Sequence, residues 1–87
     1  MASKEKWSDK AMSDRETIFE SNLKVSGSRY AKAEDVKIKN AVGRIKNNNR
    51  IGRDDLDPRG FLYVLPKKYK ILYRISGDYV MIERVFY

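Results

Sequence analysis

The sequence predicts an α+β fold in which a two-helix hairpin packs on one face of a small antiparallel sheet of three to four strands. Two observations predict it. Apolar residues recur at helical spacing over residues 9–47, and three runs rich in aromatic and β-branched residues follow over residues 61–87. A chain of 87 residues has a thin core, because it buries only roughly 60–65% of the surface that its unfolded form exposes. We therefore expect a single domain, residues 1–87, with a helical hairpin at about 9–47 and a β-meander at about 61–87.

Two helices are predicted in the first half of the chain. The first runs from about Asp9 to Lys24, directly after Ser8, and has apolar residues at helical spacing: Ala11, Met12, Ile18, Phe19 and Leu23. Gly27 is expected to stop it, and Ser28 is placed to begin the second helix, whose apolar residues recur at i, i+3, i+4 and i+7: Ile38, Ala41, Val42 and Ile45. The run NNNRIG then ends the second helix, since Asn and Gly tolerate the left-handed conformation that is common at helix C-termini.

Three strands are predicted after Gly60. They are Phe61–Leu65, Tyr69–Ile75 and Tyr79–Tyr87, joined by the short connections PKK and SGD. The preceding stretch RDDLDPRG is interpreted as a polar loop, and its three aspartates as solvated side chains rather than a metal site. The segment KEKW at residues 4–7 is a candidate short edge strand.

Regular alternation predicts which side chains share a face of the sheet. In the middle strand one face carries Ile71, Tyr73 and Ile75, and the other carries Lys70, Leu72 and Arg74. In the last strand one face carries Val80, Ile82, Arg84 and Phe86, and the other carries Tyr79, Met81, Glu83, Val85 and Tyr87. The helices should cover the apolar face of the middle strand, so that its opposite face is open for contacts.

Positive charge is concentrated in one part of the chain. The formal net charge is +7, and residues 37–74 carry eleven basic and three acidic side chains. Such a region attracts polyanions or an acidic protein segment. The chain contains no cysteine and no histidine, which excludes disulfides and thiolate metal sites and leaves lysine, tyrosine and carboxylates for any proton transfer. No apolar run approaches the roughly 18 residues of a membrane span, so we expect a cytoplasmic protein without a membrane partner.

Three segments, in this order, resemble the RelE/ParE superfamily of toxins from bacterial type II toxin-antitoxin systems. They are WSDKAMSDRETIFE (Trp7–Glu20), IKNAVGRIKNNNRIGR (Ile38–Arg53) and RGFLYVLPKKYKILYRISGDYVMIERVFY (Arg59–Tyr87). The resemblance implies a small growth-inhibiting toxin without a cofactor or metal. It also implies a cognate acidic, partly disordered antitoxin that wraps the toxin in a hetero-oligomer.

The resemblance favours the ParE-like branch, whose members poison DNA gyrase, through RIGR, Arg59-Gly60 and YRI. Phe61 and Tyr63 stand where the RelE-like branch places lysines. On the ParE-like reading the expected target-binding residues are Arg50, Arg53, Arg59, Lys67, Lys68, Lys70, Arg74 and Arg84.

Two alternatives stay open at this point. A ribosome-dependent, metal-independent mRNA endonuclease of the RelE-like branch would use a catalytic set that aligns RNA on the ribosome: Lys70, Arg74, Arg84 and Tyr87. Members of both branches usually continue past the last strand, whereas this chain ends at Tyr87. An inactive truncated toxin, acting only as a binding module, is therefore the second alternative.

Overall fold

The computed structural model describes residues 1–66 and 68–87, and one helical element packs on one face of a five-stranded sheet. In chain order the elements are β1 (Lys4–Trp7), α1 (Asp9–Asn47), β2 (Arg53–Asp57), β3 (Gly60–Val64), β4 (Lys70–Ser76) and β5 (Tyr79–Phe86). The strand order in the sheet is β1-β5-β4-β3-β2. β1 runs parallel to β5, and all other neighbours in the sheet are antiparallel.

The helical part is one element rather than the two separate helices expected. Gly27 alone is non-helical within α1, with φ 86° and ψ 177°, a conformation that glycine adopts without the penalty of a Cβ. A straight helix of 39 residues would be about 58 Å long, whereas the longest dimension of the molecule is 37 Å. The chain therefore reverses at Gly27, and Arg15 on the first arm binds Asp35 on the second, with Nε and Oδ1 2.7 Å apart. In the part of the chain that the structure describes, no helix is both long and apolar enough to cross a bilayer.

The sheet is larger than predicted and it is mixed. The stretch RDDLD, interpreted as a loop, is the edge strand β2, which pairs with β3 through Arg53 opposite Leu62 and Asp57 opposite Gly60. The candidate edge strand at residues 4–7 is β1, at the other edge. Charged side chains on both edges discourage pairing with further strands. The polar composition of RDDLD, which predicted a loop, is thus typical of an exposed edge strand.

The core lies between α1 and the sheet. The second arm of α1 buries the predicted stripe, and each of its four members is at most 1% exposed: Ile38, Ala41, Val42 and Ile45. The first arm follows the prediction in part, because Ala11 and Ile18 are buried as expected, whereas Met12 and Leu23 are exposed and the polar Asn22 is buried. The N-terminus of α1 is capped by Ser8, whose Oγ accepts a hydrogen bond from the amide of Ala11 at 3.0 Å.

A β-bulge in β5 changes the predicted alternation. Leu72 pairs with Arg84 and Tyr73 pairs with Ile82, so that Glu83 has no opposite residue in β4. Beyond this bulge the faces exchange, and Val85 enters the core at 3% exposure. The prediction that Arg84 shares a face with Val80 and Ile82 is therefore wrong, because regular alternation assumes that no extra residue is inserted.

Gly60 and Gly43 allow a matched test of this packing. A Cβ on Gly60 would lie 2.5 Å from the carbonyl oxygen of Tyr73 in the neighbouring strand, whereas a Cβ on Gly43 meets nothing within 4 Å. We expect Gly60→Ala to lower the free energy of unfolding by about 1–3 kcal/mol, since backbone cannot move aside. Gly43→Ala should raise it by about 0.5–1 kcal/mol, because alanine favours the helix. Urea unfolding followed by circular dichroism measures both. Equal effects of the two substitutions would contradict the close approach of β3 and β4.

Candidate functional site

The face of the sheet opposite α1, here called the outer face, carries a buried leucine among charged side chains. Ile71 and Tyr73 of β4 belong to the core beneath α1, so the intervening Leu72 points to the outer face. Leu72 pairs with Leu62 of β3 and with Arg84 of β5, and it is only 1% exposed. Long side chains around Leu72 therefore shield it from water.

Those side chains form a cavity of about 370 Å³, here called the arginine groove. Its floor is Leu72, and one wall is the start of α1 with its N-cap, Ser8–Lys10. The other walls are Arg59 from the β2–β3 turn, Arg74 from β4, and Glu83 and Arg84 from β5. The bulge at Glu83 is what brings Arg84 to this face beside Arg74. Three of the predicted target-binding arginines thus meet around one apolar floor.

Two of these arginines are paired with partly buried carboxylates of the same chain. Arg59 binds Asp57 through both ends of the guanidinium group, with Nη2 and Oδ2 2.7 Å apart and Nε and Oδ1 2.9 Å apart. The hydrogen bond from the Arg59 side chain, with that from its backbone amide, lowers the pKa of Asp57 to about 2. Arg74 donates from Nε to Oε1 of Glu83 at 2.7 Å. The side chains of Arg59 and Arg74 are 57% and 52% exposed, so both guanidinium groups are accessible from the solvent.

Arg84 is held more firmly than the other two. Its Nε and Nη2 donate to the two oxygens of Asp14 on α1 at 2.7 and 2.9 Å, and Asp14 also accepts from the amide of Val85 at 3.0 Å. The hydrogen bond from Arg84 lowers the pKa of Asp14 against a partial opposing effect of burial, and the same bond raises the pKa of Arg84. Two guanidinium groups lie near the ring of Phe86, with its centroid 5.3 Å from Arg84 and 6.0 Å from Arg59.

The other predicted site residues lie away from the groove. Arg50 follows α1 and is exposed, and Arg53 on β2 binds Asp55 with Nη2 and Oδ2 2.7 Å apart. Lys70 is exposed on the outer face, opposite Phe86. Lys67 lies outside the described residues.

Tyr87 directly follows β5, an interior strand, on the side of the sheet that carries α1. Its ring packs edge-to-face on Tyr69 at 5.7 Å between centroids. It lines a depression of about 260 Å³ together with Thr17, Ile18 and Arg84. Of the four residues expected for an mRNA endonuclease, Arg74 and Arg84 share the arginine groove, whereas Tyr87 faces the α1 side.

Lys68 belongs to a buried polar cluster that sequence reasoning missed, here called the Glu34 cluster. Glu34 of α1 is 2% exposed. Its oxygens accept hydrogen bonds from Lys68 at 2.7 Å and from the Tyr69 hydroxyl at 2.9 Å, and its Oε2 lies 2.6 Å from Nζ of Lys37. Asn22 donates to the Tyr69 hydroxyl at 3.3 Å. A signal was present in the sequence, because Glu34 lies four residues before Ile38 and Asn22 lies four residues after Ile18, each within a buried stripe.

The partners of Glu34 keep it ionised. Burial alone would raise the pKa of Glu34, but the hydrogen bonds from Lys37, Lys68 and Tyr69 outweigh burial and lower the pKa to about 2. Glu34 in turn raises the pKa of Lys68, to which Tyr30 also contributes a hydrogen bond. Burial is the main cause that raises the pKa of Tyr69 to about 12. At neutral pH Glu34 and Lys68 are therefore both charged.

The comparisons with known proteins agree with this architecture. No family model matches the chain, and no curated protein matches it. Among solved structures, one chain of the chromosomal ParDE TA system from P. aeruginosa is 22% identical, with a TM-score of 0.83 over 95% of this chain and 92% of that chain. This likeness shows the fold. The predicted α+β class, with helical structure on one face of a small sheet, is confirmed, whereas one helical element and a mixed sheet of five strands replace the predicted two helices and three to four antiparallel strands.

The Glu34 cluster predicts a specific dependence of stability on pH. Because the folded-state pKa of Glu34 is about 2 and its ordinary value is 4.5, its contribution to stability is complete above about pH 4.5 and is lost as the pH falls towards 2. We expect Glu34→Gln to lower the free energy of unfolding by about 2 kcal/mol at pH 7, less than for a fully buried pair because both lysines reach water. The difference from wild type should shrink below pH 4.5.

Urea unfolding at a series of pH values from 2 to 7 measures this difference. Glu20→Gln, at an exposed position on the same helix, is the matched control and should follow wild type at every pH. A constant difference between Glu34→Gln and wild type across this range would contradict a depressed pKa at Glu34.

Proposed function

We propose that this protein is the toxin of a type II toxin-antitoxin system and that it inhibits bacterial growth by binding DNA gyrase through the arginine groove. Its fold is shared with a chain of a ParDE TA system. The groove gathers Arg59, Arg74 and Arg84 on the face that α1 leaves open. Binding of this kind needs no catalytic group, which agrees with a chain that has neither histidine nor cysteine.

The charge balance of the groove is the observation that favours a protein target over a nucleic acid. Each of its three arginines is bound to a carboxylate of the same chain: Asp57, Glu83 and Asp14. The three ion pairs therefore have no net charge. Binding to a nucleic acid backbone gains its affinity from cations that are neutralised only by the phosphates. An apolar floor rimmed by arginines is typical of the energetic centre of a protein interface.

Arg59 and Arg74 are the proposed contact residues, and Arg84 is a fixed wall. Exposed ion pairs are worth roughly 0–1 kcal/mol, so a carboxylate or carbonyl group of the target can replace Asp57 or Glu83 with little loss. Arg84 is less available, because Asp14 holds it at two atoms and also accepts the Val85 amide. Leu72 becomes accessible to the target when Arg59 and Arg74 turn outward.

The mRNA endonuclease reading has weaker support from the geometry. That activity requires a proton-transferring group next to the cations that hold the scissile phosphate. Tyr87 packs on Tyr69 at the α1 side of the sheet, whereas Arg74 lies on the outer face. A phosphate bound at Arg74 would therefore have no tyrosine beside it without a rearrangement of Tyr87. Tyr87 does share a depression with Arg84, but Asp14 already binds Arg84 at two atoms.

The proposal includes a cytoplasmic acidic antitoxin as partner. Its charge would complement the net charge of +7. Exposed apolar side chains on α1, among them Met12, Val25 and Val36 at 55%, 80% and 49%, are surfaces that such a partner would cover.

Expression in a bacterium that lacks a matching antitoxin tests the proposal. We expect early loss of thymidine incorporation with induction of the SOS response, while incorporation of labelled amino acids continues. The purified chain should inhibit supercoiling of plasmid DNA by gyrase. Arg74→Ala should weaken that inhibition about tenfold, the effect of removing an interface arginine worth about 1.4 kcal/mol.

Arg29→Ala is the matched control, since Arg29 is an exposed arginine on α1 outside the groove, and it should inhibit supercoiling as wild type does. Thermal melts of both variants verify that they are folded. Early loss of protein synthesis with DNA synthesis intact would replace gyrase by the ribosome as the target. Normal growth at full expression of the folded chain would contradict the toxin function.

A further inference from the structure

A second cavity lies on the side of the molecule where the Glu34 cluster reaches the surface. Lys37, Leu65, Pro66, Lys68 and Tyr69 line this space of about 290 Å³, here called the lysine cavity. Lys37 comes from the second arm of α1, and the other four residues come from the β3–β4 connection. Among the residues that the structure describes, the lysine cavity and the arginine groove have no lining residue in common.

The lysine cavity carries an excess of positive charge, unlike the arginine groove. Lys37 and Lys68 both bind Glu34, one at Oε2 and the other at Oε1. One carboxylate thus serves two ammonium groups, each of which has three N–H donors. The side chain of Lys37 is 62% exposed, so its remaining donors face the solvent. Because both lysines bind the same carboxylate, their ammonium groups are held close together.

The other described residues that line the cavity, Leu65, Pro66 and Tyr69, are mainly apolar. Leu65 and Tyr69 are 6% and 1% exposed, and Val64, next to Leu65, is 47% exposed. Pro66 has no amide N–H to satisfy. The ring of Tyr69 is covered by neighbouring side chains and offers no open face on which a nucleic acid base can stack. The combination of two ammonium groups with aliphatic walls therefore fits a peptide that carries a carboxylate next to an aliphatic side chain.

We propose that the lysine cavity binds an acidic segment of the partner protein that neutralises this chain. A Glu or Asp of that segment binds Lys37 and Lys68, and an adjacent aliphatic side chain packs on Leu65 beside Val64. That the partner is an antitoxin rests on the proposed function. That its segment is acidic and aliphatic is inferred from the residues that line the cavity. The partner's acidic segment then lies outside the arginine groove.

Peptide binding to the full chain tests this assignment. The probe is a fluorescein-labelled decapeptide of alternating glutamate and leucine, followed by fluorescence anisotropy. In ¹H–¹⁵N NMR spectra we expect the largest shift changes at Lys37, Leu65 and Lys68. Lys37→Gln should weaken the affinity about fivefold, which corresponds to about 1 kcal/mol for a charge at the rim of an interface. Lys37→Arg should retain most of the affinity.

Lys39→Gln is the matched control, because Lys39 is exposed on the same arm of α1 and outside the cavity. It removes the same charge and should change the affinity less than about twofold, the effect of an exposed charge. Equal losses for the two glutamine variants would overturn the proposal, since they indicate general charge attraction. Hexauridylate RNA that binds at the same NMR positions with the same dependence on Lys37 would also overturn it and assign the cavity to nucleic acid.

The same experiments separate this inference from the proposed function. Growth inhibition by the chain alone tests the arginine groove and needs no acidic peptide. Growth inhibition without peptide binding would therefore overturn only the assignment of the lysine cavity. Peptide binding at Lys37 without growth inhibition would keep the cavity and overturn the toxin function.

Discussion

The structure depends most on one buried carboxylate, Glu34. A buried ionised group is costly unless charged and hydrogen-bonding partners surround it, and the partners of Glu34 come from different parts of the fold. Lys68 and Tyr69 belong to the β3–β4 connection, and Asn22 on the first arm of α1 reaches the cluster through the Tyr69 hydroxyl. The reversal of the helix at Gly27, the position of that connection and the start of β4 are therefore linked. A shift in any of them would leave a buried charge without its partner.

A single irregularity in β5 serves both the core and the outer face. Because Glu83 is bulged, Val85 enters the core while Arg84 turns to the outer face beside Leu72. The same residue, Glu83, also binds Arg74, and its carbonyl oxygen accepts a hydrogen bond from Ser8 at 2.7 Å. The N-terminus of α1 is thus fixed against the bulge, and the arginine groove takes its shape from the contact between these two elements.

Sequence patterns predicted what depends on regular spacing and missed what depends on tertiary partners. The stripe around Ile38 and the alternation of β4 follow fixed periods, and both are present in the structure. The bulge at Glu83 breaks the period, so alternation placed Arg84 on the wrong face. Patterns of apolar residues pass over Glu34, because it is charged and its burial depends on distant partners, Lys68 and Tyr69. Likewise the sequence of β2 predicts a loop, because an exposed edge strand has the polar composition of a loop.

Burial of Glu34 also restricts how an acidic partner can use the lysine cavity. An incoming carboxylate that took Lys37 and Lys68 away from Glu34 would leave that buried group uncompensated, which costs about 3–5 kcal/mol in comparable pairs. The partner must therefore share the lysines, through donors that Glu34 does not use. Shared binding adds a ligand to the folded state alone and so raises its stability by mass action. The antitoxin proposed for this chain would then stabilise the toxin that it neutralises, with the cluster at Glu34 intact beneath it.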